Sequence, residues 1–151
     1  MAKKRIIAVI ATAVLSISLF AGCGAQATYK DGTYKAEYSA ADSRGWKPQL
    51  SLVIKGDKIS EVTFDYINDA GVLKTNDDVY KLAMEAKTGT YPAKYTEELE
   101  KALIEKQKVE DGATVKGATS STANFKALAA AALEKAKAGD TATAIVEMKA
   151  E

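Results

Sequence analysis

A chain of 151 residues, 47% hydrophobic, 7% aromatic and 27% charged, is long enough for one domain with short extensions. Lys plus Arg (21) nearly balance Asp plus Glu (20), which argues against a nucleic-acid binder with a concentrated basic face. With no His and one Cys, a Ser-His-Asp triad, a Cys-His pair, a His-rich zinc site, an intramolecular disulfide and a CxxC motif are all excluded, so any redox chemistry must reside on a bound group.

Residues 1–22 have the three parts of a secretory signal. Lys3-Lys4-Arg5 form a basic start, Ile6 through Phe20 an uncharged apolar run, and Ala21-Gly22 a small-residue end. A retained membrane span of about 20 residues is the other reading of this run, which is slightly short for it. Leu19-Phe20-Ala21-Gly22-Cys23 resembles a bacterial lipobox, with Phe20 where Leu, Val or Ile is usual. The resemblance implies a diacylglyceryl thioether on Cys23, and each acyl CH2 then buried in the outer leaflet contributes about 0.8 kcal/mol. A plain signal peptide with a leftover Cys and an uncleaved anchor are the alternatives. Without Lys3, Lys4 and Arg5 the mature chain carries 18 basic and 20 acidic residues. Residues 23–28, including the small polar run Gly24 to Thr28, read as a lipid-anchored tether.

Strands come first in the folded part. Gly32 to Tyr38 alternates aromatic and polar residues, and Leu50, Leu52 and Ile54 share one face of the next run. Lys55-Gly56-Asp57-Lys58 predicts a tight reversal into a strand carrying Ile59, Val62, Phe64 and Tyr66. Asn68-Asp69-Ala70-Gly71 marks a further turn. Helices follow. Asp77 to Ala86 places Val79, Leu82, Ala83 and Ala86 on one side, and Thr96 is the expected N-cap of Glu97 to Gln107. Thr122 to Lys137 has the strongest stripe: Phe125, Leu128, Ala129, Ala132, Leu133 and Ala136. Gly139-Asp140 ends it, and Thr141 to Met148 is expected to return as an edge strand, residues 139–151 being a tail. The fold class is α+β, a small antiparallel sheet with helices packed on one face.

Gly117-Ala118-Thr119-Ser120-Ser121-Thr122 sets two small residues and four hydroxyls where the last helix begins. Unpaired N–H groups and the positive end of the helix dipole favour a phosphate there. The competing reading is an ordinary cap made by Ser121 or Thr122.

These residues, taken with Asp31-Gly32-Thr33-Tyr34, Gly45-Trp46, the hairpin, Tyr95-Thr96-Glu97-Glu98-Leu99 and Asn124-Phe125-Lys126-Ala127-Leu128, occur in the order of a known family. Residues 29–138 resemble the FMN-binding domain of Gram-positive surface lipoproteins, related to the periplasmic flavin subunits of the Rnf complex and the sodium-pumping NADH:quinone reductase. The resemblance implies FMN esterified through its phosphate to a Thr of a Ser-Gly-Ala-Thr motif by a magnesium-dependent flavin transferase using FAD. The acceptor maps to Thr119, flanked by Gly117, Ala118, Ser120 and Ser121. Lys116 stands where the family has Ser or Thr, and Ala113 where it tends to have Asp. An earlier Gly112-Ala113-Thr114 copies the tripeptide without the hydroxyls and helix that should follow.

On this reading Lys116 offsets phosphodiester charge. Trp46 is the leading ring to stack on the flavin, ahead of Tyr66 and Tyr95, each of which also reads as core. The implied function is electron relay on the outer face of the membrane. The implied partners are a flavin transferase and either a membrane NADH:quinone oxidoreductase or the quinone pool. The alternative is a flavin-free surface lipoprotein using the same fold for binding.

Overall fold

The structure is a computed structural model and describes residues 28–148. The signal segment and Cys23 lie outside the described residues. Strands β1 (Gly32–Tyr38), β2 (Lys47–Lys55) and β3 (Lys58–Ile67) are followed by a 3-10 turn at Lys74–Asn76. Helices α1 (Asp78–Thr88), α2 (Pro92–Lys106) and α3 (Thr119–Ala138) precede a short β4 (Ala144–Val146). The sheet order is β3-β2-β1-β4.

The hairpin forms because Gly56 (φ 56°) and Asp57 (φ 62°) both accept the left-handed backbone of a two-residue turn. Alternation in β1–β3 then directs Tyr34, Ala36, Leu50, Leu52, Ile54, Ile59, Val62, Phe64 and Tyr66 to one face, all buried. Helices α2 and α3 cover that face with Tyr95, Leu99 and Leu103, and with Phe125, Leu128, Ala129, Ala132 and Ala136. Phe64 meets Tyr66 and Phe125 edge-on, with ring centroids 5.3 Å apart in each pair. The free edge of β3 is blunted by α2. Gln107 accepts from Ile59 N (2.8 Å) and donates to Ile59 O (2.9 Å), while Glu100 accepts from Phe64 N (2.7 Å).

The α+β class holds, with one departure from the all-antiparallel expectation. β4 pairs parallel to β1, with Ala36 opposite Ala144 and Tyr38 opposite Val146. The cause lies at the far end of α3, where Lys30 N donates to Ala136 O (3.0 Å). β1 therefore starts where α3 stops, and a strand leaving α3 beside β1 must run in the same direction.

Each helix also departs from its sequence reading. α2 starts at Pro92, not Glu97. Pro at the first helical position loses no hydrogen bond, and Thr96 lies inside the helix, its hydroxyl donating to Ala93 O (3.3 Å). α1 is capped by Asp77, which accepts from Tyr80 N (2.9 Å), but its apolar side is not covered: Val79 is 80% and Leu82 67% exposed. α3 begins at Thr119, three residues before the expected start.

Candidate functional site

That earlier start changes the chemistry of the last helix. Neither Ser121 nor Thr122 is the cap; the N-cap is Ala118, which offers no side-chain acceptor. Thr122 is turned inward, its hydroxyl donating to Ala118 O (3.0 Å) and accepting from Val115 N (3.3 Å). Thr122 N is satisfied by Ala118 O (2.8 Å), whereas the N–H groups of Thr119, Ser120 and Ser121 have no protein acceptor among the described residues. Thr119 and Ser120 are exposed, and Ser121 and Thr122 are buried. The first turn thus presents a free hydroxyl, Thr119, beside open backbone donors.

Gly117 makes this arrangement possible. Its φ is +84°, and a Cβ there would lie 2.8 Å from Thr88 Cβ and 2.9 Å from Thr88 O. The end of α1 is therefore seated directly against the loop that starts α3. Across from it, Asp42 organises a second loop by accepting from Arg44 N and Trp46 N (2.9 Å each). Gly45, at φ +82°, completes that turn.

Between these loops lies a cleft of about 280 Å³. Gly117 to Ser121 form one wall, Asn124 and Tyr66 the floor, and Tyr80, Met84, Lys74, Arg44 and Asp42 the rest. A neighbouring depression of about 430 Å³ shares Arg44, Tyr80, Met84 and Gly117 with it, which brings the joint space into the range of small-molecule sites.

Burial pushes the Tyr66 hydroxyl up to about 12, although Ser121 and Asn124 oppose the effect, Asn124 Nδ2 donating to Tyr66 Oη at 3.2 Å. Tyr95 is wholly buried and raised further for the same reason. Ser121 also moderates that shift, yet Tyr95 Oη has no hydrogen-bond partner of ordinary geometry among the described residues. Both phenols stay protonated at neutral pH.

Of the residues singled out from sequence, Thr119, Gly117, Ala118, Ser120 and Ser121 are brought together in the cleft. Lys116 is exposed and outside the lining; the cations that do line it are Arg44 and Lys74. Trp46 is buried and outside the cleft lining, its ring 6.2 Å from that of Tyr80; the aromatic residues that line the cleft are Tyr80 and, at its floor, Tyr66. Tyr95 lies beneath. The Asp31 carboxylate accepts from Gly56 N (2.9 Å) and ties the domain's start to the hairpin tip.

Lys74 was not visible in the sequence. It is 4% exposed, and its ammonium lies 4.3 Å from the ring centroids of Tyr66 and Tyr80 and 5.6 Å from that of Trp46. A lone Lys between a turn and a helix reads as a solvated charge, and the only local hint was the aromatic residue six places on.

A comparable depression of about 290 Å³ lies on the open face of the sheet, lined by Lys35, Glu37, Gln49, Ser51, Thr63 and Asp65 among others. Its Glu37 is already paired with Lys47 at 2.6 Å, and no helix terminus opens into it. Among the described residues no helix is long and apolar enough to cross a membrane.

No family model matches the chain. It is 35% identical over 126 residues to the 15 kDa lipoprotein of Treponema pallidum strain Nichols, covering 83% of this chain and 89% of that protein. The crystal structure of a Clostridium perfringens protein superposes with a TM-score of 0.78 at 38% identity, covering 81% of this chain and all of that one.

Proposed function

The chain belongs to the family of the 15 kDa lipoprotein of Treponema pallidum, and from that premise we propose a lipid-anchored flavoprotein that holds FMN at Thr119 and relays electrons outside the cell. The lipoprotein relative and the lipobox-like Leu19 to Cys23 support the anchor. The observation that carries the flavin reading is the exposed Thr119 hydroxyl in the uncapped first turn of α3, inside a cleft with two cations and two phenol rings.

The residues fit the group. The open N–H donors at Ser120 and Ser121, with Arg44 and Lys74, suit a phosphate. Tyr80 offers ring surface, and the Asn124 amide and the protonated Tyr66 hydroxyl offer polar contacts. Attachment would join Thr119 Oγ to the FMN phosphorus as the pyrophosphate bond of FAD breaks, releasing AMP and the hydroxyl proton; the flavin transferase supplies the catalysis. FMN, when bound, carries one or two electrons on its own ring.

Position along α3 bears on the reach of the cleft. The chain enters the domain beside Ala136 and Ala138, whose carbonyls accept from Lys30, while Thr119 begins the other end of the same 20-residue helix. That helix is about 30 Å long, and the six residues 23–28 reach about 20 Å at full extension. The tether and the helix together set how far from the bilayer the cleft can range, and the proposed electron donor is a membrane NADH:quinone oxidoreductase or the quinone pool.

One observation favours a second reading, a flavin-free lipoprotein that binds another protein: Val79 and Leu82 are large apolar side chains left exposed on α1. Co-expression with a flavin transferase separates the two. The flavin reading expects a yellow fluorescent band that survives denaturation and is lost in Thr119→Ala. Absence of the label, together with no binding of free FMN, favours the second.

A further inference from the structure

Lys74 is the residue of the cleft whose bonding is left incomplete. Its side chain is almost fully buried, yet it forms no ion pair or hydrogen bond among the described residues. The faces of Trp46, Tyr66 and Tyr80 attract the charge. They leave its N–H donors without a protein oxygen acceptor among the described residues, open to a ligand entering the cleft.

The residue is also held in place. Asp65, itself buried, accepts from Thr75 N (3.3 Å) and Thr75 Oγ1 (2.6 Å), fixing the 3-10 turn, and Asp77 N donates to Lys74 O (3.2 Å) where that turn meets α1. What the three rings leave uncovered lines the same cleft as Arg44 and the first turn of α3, where the N–H groups of Thr119, Ser120 and Ser121 are unpaired among the described residues. Asp42 is the one carboxylate in that lining, and its Oδ1 is already engaged by Arg44 N and Trp46 N.

We infer that Lys74 makes the cleft a non-covalent receptor for a phosphate group, which docks between the buried ammonium and the first turn of α3 whether or not a bond to Thr119 follows. The inference rests on the flavin reading only for the identity of the natural ligand, the phosphomonoester end of FMN. The same chemistry admits inorganic phosphate.

The test uses the full chain produced without a flavin transferase, titrated with inorganic phosphate, FMN and riboflavin. Trp46 is the only Trp, and its ring is 5.6 Å from the ammonium, so its emission reports an anion arriving there. Calorimetry gives the affinity. Phosphate and FMN should bind and compete, and riboflavin, lacking the phosphate, should bind at least about tenfold more weakly than FMN. Lys74→Met should weaken phosphate by about tenfold or more, Lys74→Arg should restore most of it, and Leu82→Ser, at an exposed position of α1 outside the cleft lining, should leave it unchanged.

Equal binding of riboflavin and FMN, or unaltered binding in Lys74→Met, overturns the inference. Should Lys74→Met fail to fold, the wild-type titration still decides, since no response to phosphate or FMN refutes the proposal outright. The two ideas fail separately. A chain labelled at Thr119 that ignores free phosphate keeps the flavin reading and loses this one, and a chain that binds phosphate but never takes a label does the reverse.

Discussion

α1 and α3 carry the same kind of apolar periodicity and meet opposite fates. In α3, Phe125, Leu128, Ala129, Ala132 and Ala136 are at most 2% exposed, with small alanines letting the helix approach β1 and β2. In α1, no residue is buried, and Val79 and Leu82 point to solvent. A repeat at helical spacing therefore shows which residues share a face, and the topology alone decides whether that face is covered. α3 crosses the sheet. α1 is held at its ends, by the Asp77 cap and by Thr88 against Gly117, and contributes Tyr80 and Met84 to the cleft. One helix builds the core and the other walls a site.

Substitutions on the two helices should separate these roles sharply. Leu128→Ala removes a fully buried side chain and should cost about 2–5 kcal/mol in denaturant unfolding, whereas Leu82→Ser should stay within about 0.5 kcal/mol. A large loss at Leu82 would mean that α1 packs against something else in this chain. Gly117→Ala should fall between them. It forces a side chain into a left-handed backbone and against Thr88, at a cost of about 1–3 kcal/mol. The same change should displace the start of α3 and depress flavin attachment more than Leu82→Ser does.

The smallest expected effect is electrostatic. Burial raises the Glu100 carboxyl above its usual range, against the opposing hydrogen bond from Phe64 N. A carboxyl raised in the folded state favours its protonated form, so it costs stability once pH rises through the folded pKa. Glu100→Gln keeps an oxygen for Phe64 N and removes the charge. It should gain up to about 0.5 kcal/mol at neutral pH, and the gain should vanish as pH falls below the ordinary carboxylate range. Loss of stability at neutral pH would show that the charge itself is needed at the β3 edge.

The legible parts of this fold were those decided locally. Gly56-Asp57 specified the hairpin because both positions must tolerate positive φ, and the α3 stripe specified a buried helix. What was missed depended on distant partners. The start of α3 was misplaced because Ser121 and Thr122 are good caps in isolation, whereas here they are drawn inward, Thr122 by Val115 and Ala118. Lys116 stands next to the motif in sequence but outside the cleft lining, whereas the cations that line it, Arg44 and Lys74, are positioned by the Asp42 and Asp65 turns. The parallel direction of β4 likewise follows from the meeting of Lys30 with Ala136, residues far apart in the chain. The motif around Thr119 could be found in the sequence, and the cage behind it could not.

Lys116 and Lys126 bracket Thr119, so trypsin releases residues 117–126 as one peptide. Mass spectrometry of that peptide, after co-expression with a flavin transferase, tests the central claim most directly. The account predicts a mass gain equal to FMN less water, with fragment ions placing it on Thr119 and nothing added in Thr119→Ala. An unmodified peptide, or a flavin found on any other residue, would contradict it.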